Sequence, residues 1–199
     1  MKRTLLLLLF SYAAWGQPFK ETTICDKLIK TDSIEYKSKS VKGKTFPKTN
    51  SYKKTKGVIK VQTKEKVLAY KDTDGIDGYE YNVRGADTIK KWVLVERSDI
   101  QQSIYFLINL MTLKIDTLIG EPRIYDDKII CKESIYTDSP NRIEIWKIKD
   151  NNIVPLIRFS LSVCEKYGIG KFYYLKQKTL DLLDDFSKDC WKIDLMELR

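Results

Sequence analysis

Two runs decide the fold: Trp92-Val93-Leu94-Val95 and, after a polar break, Ile104-Tyr105-Phe106-Leu107-Ile108. Both are strand-sized and rich in β-branched and aromatic residues. Each is apolar at every position, so neither can turn a face to water, and each reads as a strand covered on both sides. Just upstream, Tyr79, Tyr81 and Val83 alternate with Glu80, Asn82 and Arg84, the period of a strand with one wet face. Outward from this centre the same reading predicts strands at 67–71, 115–119, 129–131, 143–148, 153–161, 172–175 and 180–183. Residues 191–195 fit either a further strand or a terminal helix. Turn clusters separate them: Asp72-Thr73-Asp74-Gly75, Gly85-Ala86-Asp87, Gly120-Glu121-Pro122, Asp126-Asp127, Asp138-Ser139-Pro140-Asn141 and Asp150-Asn151-Asn152. The expected fold is all-β, an antiparallel meander arranged as a partial propeller or a twisted sandwich.

The chain opens differently. Lys2 and Arg3 precede the leucine tract of residues 5–9, and Ala14-Trp15-Gly16 places small residues where a signal peptidase reads them. Residues 1–16 are therefore expected to be a signal peptide cut before Gln17. No cysteine follows the cut closely, and no later apolar run is long enough to span a bilayer. The expected product, residues 17–199, is soluble and periplasmic or secreted. Loss of Lys2 and Arg3 lowers its net charge from +9 to +7. That length suits one domain. Its parts are a basic N-terminal segment at 17–66, with edge strands and an exposed loop or loose hairpin at 43–56, and the β-meander core at 67–199.

Two segments inside the meander look alike. Leu107-Ile108-Asn109-Leu110, with Lys114-Ile115-Asp116-Thr117-Leu118 after a turn, matches Ile145-Trp146-Lys147-Ile148 followed by Ile153-Val154-Pro155-Leu156. The offset from Leu107 to Ile145 is close to the length of a propeller blade. Between them, residues 121–131 run as a proline, an Asp-rich turn and a lysine ahead of a buried strand. On these residues, the region 88–161 resembles the exported proteins of diderm bacteria that carry WD40-like or TolB-like propeller-blade hairpins. It departs from them at Tyr125-Asp126-Asp127-Lys128, which replaces a Ser-Pro-Asp-Gly turn, and at Met111-Thr112-Leu113, which lacks the hairpin glycine. A closed ring needs at least four blades of ~40–45 residues, more than this chain offers. The resemblance implies blade-like hairpins and brings no catalytic residues with it.

Composition narrows the chemistry. The chain has no histidine, which excludes the usual Ser-His-Asp and Cys-His nucleophiles and all imidazole metal sites. Carboxylate chemistry remains, so the alternative to a non-catalytic binding or envelope-associated module is a carbohydrate-active enzyme with paired carboxylates. Glu96, Asp99, Glu133 and Glu144 lie near strand ends, but no spacing singles out an acid and a base. The carboxylates of residues 72–80 invite a calcium reading. However, counting from Asp72 puts Ile76 at the fifth position and Asp77 where glycine belongs, so a β-turn is the better account and no cofactor is implied. Trp92 and Tyr105 are expected in the core, with Tyr173 and Tyr174 left open between core and a sugar platform.

Four cysteines, Cys25, Cys131, Cys164 and Cys190, remain after the cut, too widely spaced for zinc. Export permits disulfides. Cys164–Cys190 is the leading pair because these two are the closest in sequence and both lie beside predicted strand ends. Cys131, inside a strand, fits a buried thiol.

The one feature with a partner behind it is the basic stretch. Residues 37–66 hold eleven lysines and a single acid, Glu65. Tyr36, Phe46 and Tyr52 are interleaved with the lysines of this stretch, of which Lys53, Lys54 and Lys56 are the candidate contacts to an anionic glycan, a lipopolysaccharide or an acidic protein. Export makes intracellular nucleic acid an unexpected partner. Two structural alternatives stand beside this reading: an edge strand whose lysines discourage pairing, and neutralisation by the acidic run Asp181, Asp184, Asp185 and Asp189.

Overall fold

A computed structural model describes residues 19–21, 28–31, 43–135, 142–160, 169–175, 179–184 and 190–195, and within them the chain forms sixteen strands and no helix. Two short strands come first, β1 (Lys20–Glu21) and β2 (Ile29–Thr31), each completing a later sheet. β3 (Val58–Gln62) and β4 (Val67–Lys71) form an antiparallel hairpin. β5 (Glu80–Asp87), β6 (Trp92–Ser98), β7 (Gln102–Asn109) and β8 (Ile115–Leu118) follow as the antiparallel meander of the first large sheet. β9 (Arg123–Tyr125) and β10 (Lys128–Lys132) open the second sheet. β11 (Ser134–Ile135) steps back to pair with β7 at Gln102 and Ser103. β12 (Arg142–Lys149) and β13 (Asn152–Ser160) finish the second sheet, with β1 beside β13 in the parallel sense. β14 (Ile169–Leu175), β15 (Thr179–Asp184) and β16 (Cys190–Asp194) form the third, edged by β2. The fold is all-β, and no sheet among the described residues closes into a barrel. Residues 190–194 are strand, which resolves the strand-or-helix alternative.

Side-chain alternation stacks these sheets in layers. Val93, Val95 and Ile108 point from the first sheet to Ile59 and Val61 of the β3–β4 hairpin. Trp92, Leu94, Tyr105 and Leu107 point the opposite way, onto Ile129, Cys131, Trp146 and Ile153 of the second sheet. Ile130, Ile143, Ile145, Ile157 and Phe159 leave the far face of the second sheet and meet Leu180, Leu182 and Ile193 of the third. Strands of the inner layers are therefore covered on both faces, as their unbroken apolar runs require. Full burial of each such side chain contributes roughly 1.5–3 kcal/mol over exposure. The likeness of residues 107–110 to residues 145–148 has the same origin. Leu107 sits on the third strand counted from β5 and Ile145 on the third counted from β9, and each faces the next layer of the stack.

Two details go beyond expectation or depart from it. The sequence suggests an exposed loop or loose hairpin at 43–56; most of these residues are indeed exposed, and the segment also ties two layers together. Lys44 exchanges backbone hydrogen bonds with Ile124 at 2.9 and 2.8 Å, and Phe46 is buried beside Trp92, with ring centroids 6.5 Å apart. Strand β5 runs through Gly85 instead of ending there, with a register shift between Val83 and Gly85. A Cβ on Gly85 would lie 2.6 Å from the Pro47 carbonyl oxygen, so the missing side chain lets the crossing segment reach the sheet and bond Ala86 N–H to that oxygen. The expected signal peptide, Cys25 and Cys164 lie outside the described residues, and with Cys164 goes the expected Cys164–Cys190 pair. Cys190 is buried in β16, and Cys131 is a free thiol buried completely, its ionisation pushed well up by burial and by the Glu144 carboxylate.

Candidate functional site: the basic outer hairpin

The β3–β4 hairpin is the outer layer of the stack, and its two faces differ by simple alternation. Ile59 pairs with Tyr70 and Val61 with Leu68, and all four pack on the first large sheet. Beneath them Tyr70 lies against Tyr81 and Phe106, at centroid distances of 5.2 and 6.1 Å. Burial, with the Tyr81 phenol alongside, pushes Tyr70 up to about 12, so it stays neutral in this apolar floor.

The opposite face meets solvent. Lys60 opposite Ala69 and Lys71 opposite Val58 point outward as diagonal neighbours, roughly 7–8 Å apart on such a ladder. The hairpin turn adds Lys64 and Lys66, exposed around a Thr63 hydroxyl that donates to the Lys66 carbonyl and accepts from its N–H. At the other end Lys53 and Lys56 are exposed, with Lys56 in the left-handed region at φ 51°. Between residues 53 and 71 there are seven lysines and one acid, Glu65. None of the exposed lysines named here has an ion pair among the described residues.

Of the three lysines singled out from sequence, Lys53 and Lys56 lie on this surface. Lys54 is engaged elsewhere: its Nζ is 2.9 Å from Asp72 Oδ2 and 2.7 Å from Glu80 Oε1. The first acids to neutralise the stretch are thus local. Lys60 and Lys71 were not singled out, although the alternation of residues 57–62 already puts Lys60 on the face opposite Ile59 and Val61.

The residues of the calcium reading form the loop between β4 and β5, and here the β-turn account holds. Asp72 Oδ1 accepts from Tyr81 N–H at 2.8 Å, Thr73 Oγ1 accepts from Tyr79 N–H at 3.0 Å, and Gly78 N–H closes a turn on the Gly75 carbonyl. Gly75, at φ 110°, takes a conformation closed to most other residues. Burial pushes the Asp72 carboxyl up, but Tyr81 N–H and the Lys54 ammonium together hold it below its usual range. No group of three ligating carboxylates or cysteines occurs among the described residues. The loop borders an open cleft of about 510 Å³ lined by Asp72, Asp74, Tyr79, Glu80 and Asp99 among others. Asp99 itself caps the β6–β7 turn, accepting from Gln101 and Gln102 N–H at 2.8 Å each.

The three glutamates of the enzymatic alternative are all buried, and each has an arginine. Glu96 accepts from Tyr105 Oη at 2.8 Å and pairs with Arg84 at 3.2 Å. Glu133 takes the Arg142 backbone N–H and its guanidinium. Glu144, wholly buried, accepts from Arg158 at 2.5 and 3.0 Å and from the Trp146 indole at 3.2 Å, while Phe19 lies 4.4 Å from that guanidinium. Trp92 and Tyr105 are core, as expected. Tyr173 and Tyr174 lie on β14, whose side chains fall outside the described residues.

Against known proteins, the chain matches no family model, no curated protein and no solved structure.

Proposed function

We propose that the protein is an exported, non-catalytic binding module, acting in the periplasm or outside the cell, whose outer hairpin holds the anionic groups of a glycan or lipopolysaccharide. One observation carries this reading: Lys53, Lys56, Lys60, Lys64, Lys66 and Lys71 are exposed on and beside a single two-stranded layer, with Glu65 the one acid between residues 53 and 71. Lysines placed this way attract polyanions, and charges farther apart than about 8 Å are screened at physiological salt, so binding weakens as salt rises. The Glu–Arg pairs support the non-catalytic part, because each buried carboxylate is already engaged by a neighbouring arginine.

The test changes Lys53, Lys56, Lys60 and Lys71 to Gln and measures elution from an acidic polysaccharide and from immobilised lipopolysaccharide. The parent elutes at rising salt, and the quadruple variant elutes at once. Elution of both at the same salt would reject the reading. Export has its own measurement: mass spectrometry of extracellular or periplasmic protein is expected to show an N-terminus at Gln17, and an intact Met1 would refute it.

A further inference from the structure

A different surface lies at one end of the stack, where the hairpin tips collect. Backbone hydrogen bonds tie three tips to one another: Leu110 N–H donates to the Lys91 carbonyl at 2.8 Å, and Lys64 N–H to the Leu110 carbonyl at 3.2 Å. The tips belong to the β3–β4, β5–β6 and β7–β8 turns. Asn109, 5% exposed, joins them to a fourth tip. Its Oδ1 accepts from Met111 and Thr112 N–H, and its Nδ2 donates to the Asn151 carbonyl at 2.8 Å, which also accepts from the Trp92 indole. A buried amide satisfied on both sides fixes these turns as one platform.

Two apolar side chains project from that platform. Ile89 is 88% exposed and Met111 52% exposed, on neighbouring tips. Around them stand Lys64, Lys66 and Lys91, none of which has an ion pair among the described residues. Asp87 and Asp116 are already matched by Lys90 and Lys114, at 3.4 and 2.8 Å, which leaves Glu65 as the opposing charge on these three tips. In the adjoining layer, Lys128 pairs with Asp127.

We infer that this end of the molecule docks on the surface of an anionic phospholipid bilayer, inserting Ile89 and Met111 among the acyl chains while Lys64, Lys66 and Lys91 contact headgroup phosphates. A protein partner would have to match two apolar side chains on separate tips with a complementary surface. A fluid bilayer needs no such complementarity, and it rewards apolar tips fringed by cations. The tips lie on the bilayer and do not cross it. The inference shares Lys64 and Lys66 with the glycan reading but rests on Ile89 and Met111, which that reading does not use.

The test is co-sedimentation with vesicles of phosphatidylcholine, with and without a share of phosphatidylglycerol, neither of which carries a glycan. Full-length parent and variants are compared, so any contribution of the N-terminal apolar tract is common to all. Ile89→Ser with Met111→Ser lowers partitioning about tenfold and leaves polysaccharide elution unchanged. Ile76→Ser is the control, since Ile76 is equally exposed, at 88%, on the cleft-side loop between β4 and β5. It partitions as the parent does. Lys64, Lys66 and Lys91 changed to Gln remove most of the preference for phosphatidylglycerol, by about tenfold or more. Parent-like partitioning of the Ile89/Met111 variant, or an equal loss with Ile76→Ser, overturns the proposal.

Discussion

Charge is handled in opposite ways at the seam between the two central sheets and on the hairpin that caps the stack. In the seam, Glu96 and Glu144 are withdrawn from water and each is matched to a guanidinium and a second donor. On the hairpin, six lysines are left in solvent, with Glu65 the one acid between residues 53 and 71. The difference separates charges the fold requires from charges available to a partner. A buried carboxylate without its arginine is expensive, whereas an exposed lysine without an acid costs the fold almost nothing. Composition alone assigns both sets to the same polar surface, and only burial tells them apart.

The largest effect expected from this contrast follows Arg158→Met. The variant keeps the Glu144 carboxylate at 0% exposure and removes both guanidinium bonds, leaving only the Trp146 indole at 3.2 Å. The loss should be about 3–5 kcal/mol, read from the midpoint of denaturant unfolding at unchanged slope. Adding Glu144→Leu should restore much of it, because the cost lies in the stranded charge. A single-variant loss below about 1 kcal/mol would mean that water or another donor reaches Glu144, and that the seam resembles the surface after all.

Ile59→Ala comes next, since it attacks the anchor of the hairpin and not its charge. Ile59 is 2% exposed between Tyr70 and the first large sheet. Truncation there should cost about 2–4 kcal/mol. Amide exchange should show the loss concentrated in β3 and β4, whose two strands pair with no third strand among the described residues. If the hairpin is anchored as described, elution from the polysaccharide weakens together with this protection. Unchanged elution with lost protection would show that the lysines bind without the strand holding them in place.

The sequence made the layering readable for a definite reason. Residues 92–95 and 104–108 are apolar throughout because each strand faces two neighbours, and residues 145–148 repeat 107–110 because both lie on the third strand of their meanders. Residues 43–56 were harder. Phe46 is one apolar residue among lysines, threonines and a proline, and its burial depends on the gap at Gly85, far along the chain on β5. The candidate site divides in the same way. The alternation of residues 57–62 is enough to put Lys60 outward, although Lys60 is not among the lysines singled out from sequence. The capture of Lys54, however, depends on Asp72 and Glu80 meeting across two strands, 18 and 26 residues on. Nor does spacing reveal that Glu133 and Glu144 meet Arg142 and Arg158, since those contacts follow from strand register and turn geometry.

The smallest effect tests the boundary between the two regimes, because Lys54 is a hairpin lysine treated like a seam residue. Its Nζ bridges Asp72 and Glu80, yet its side chain and theirs are 25%, 22% and 60% exposed. Solvent screens such pairs, so Lys54→Gln should cost less than about 1 kcal/mol at neutral pH. The sign of its pH dependence is fixed by Asp72. Burial alone would raise that carboxyl, but Tyr81 N–H and Lys54 hold it below its ordinary value. A carboxyl lowered in the folded state stabilises above its unfolded pKa of about 3.9, and that contribution fades as pH falls through the lowered value. Parent and variant should therefore differ at pH 7 and converge under strongly acidic conditions. An NMR titration should show Asp72 ionising at higher pH in the variant than in the parent, though still held down by Tyr81 N–H. An Asp72 titration unmoved by the substitution would return Lys54 to the exposed set, leaving the loop between β4 and β5 held by its backbone bonds and by the Asp72 and Thr73 oxygens that accept from Tyr81 and Tyr79 N–H.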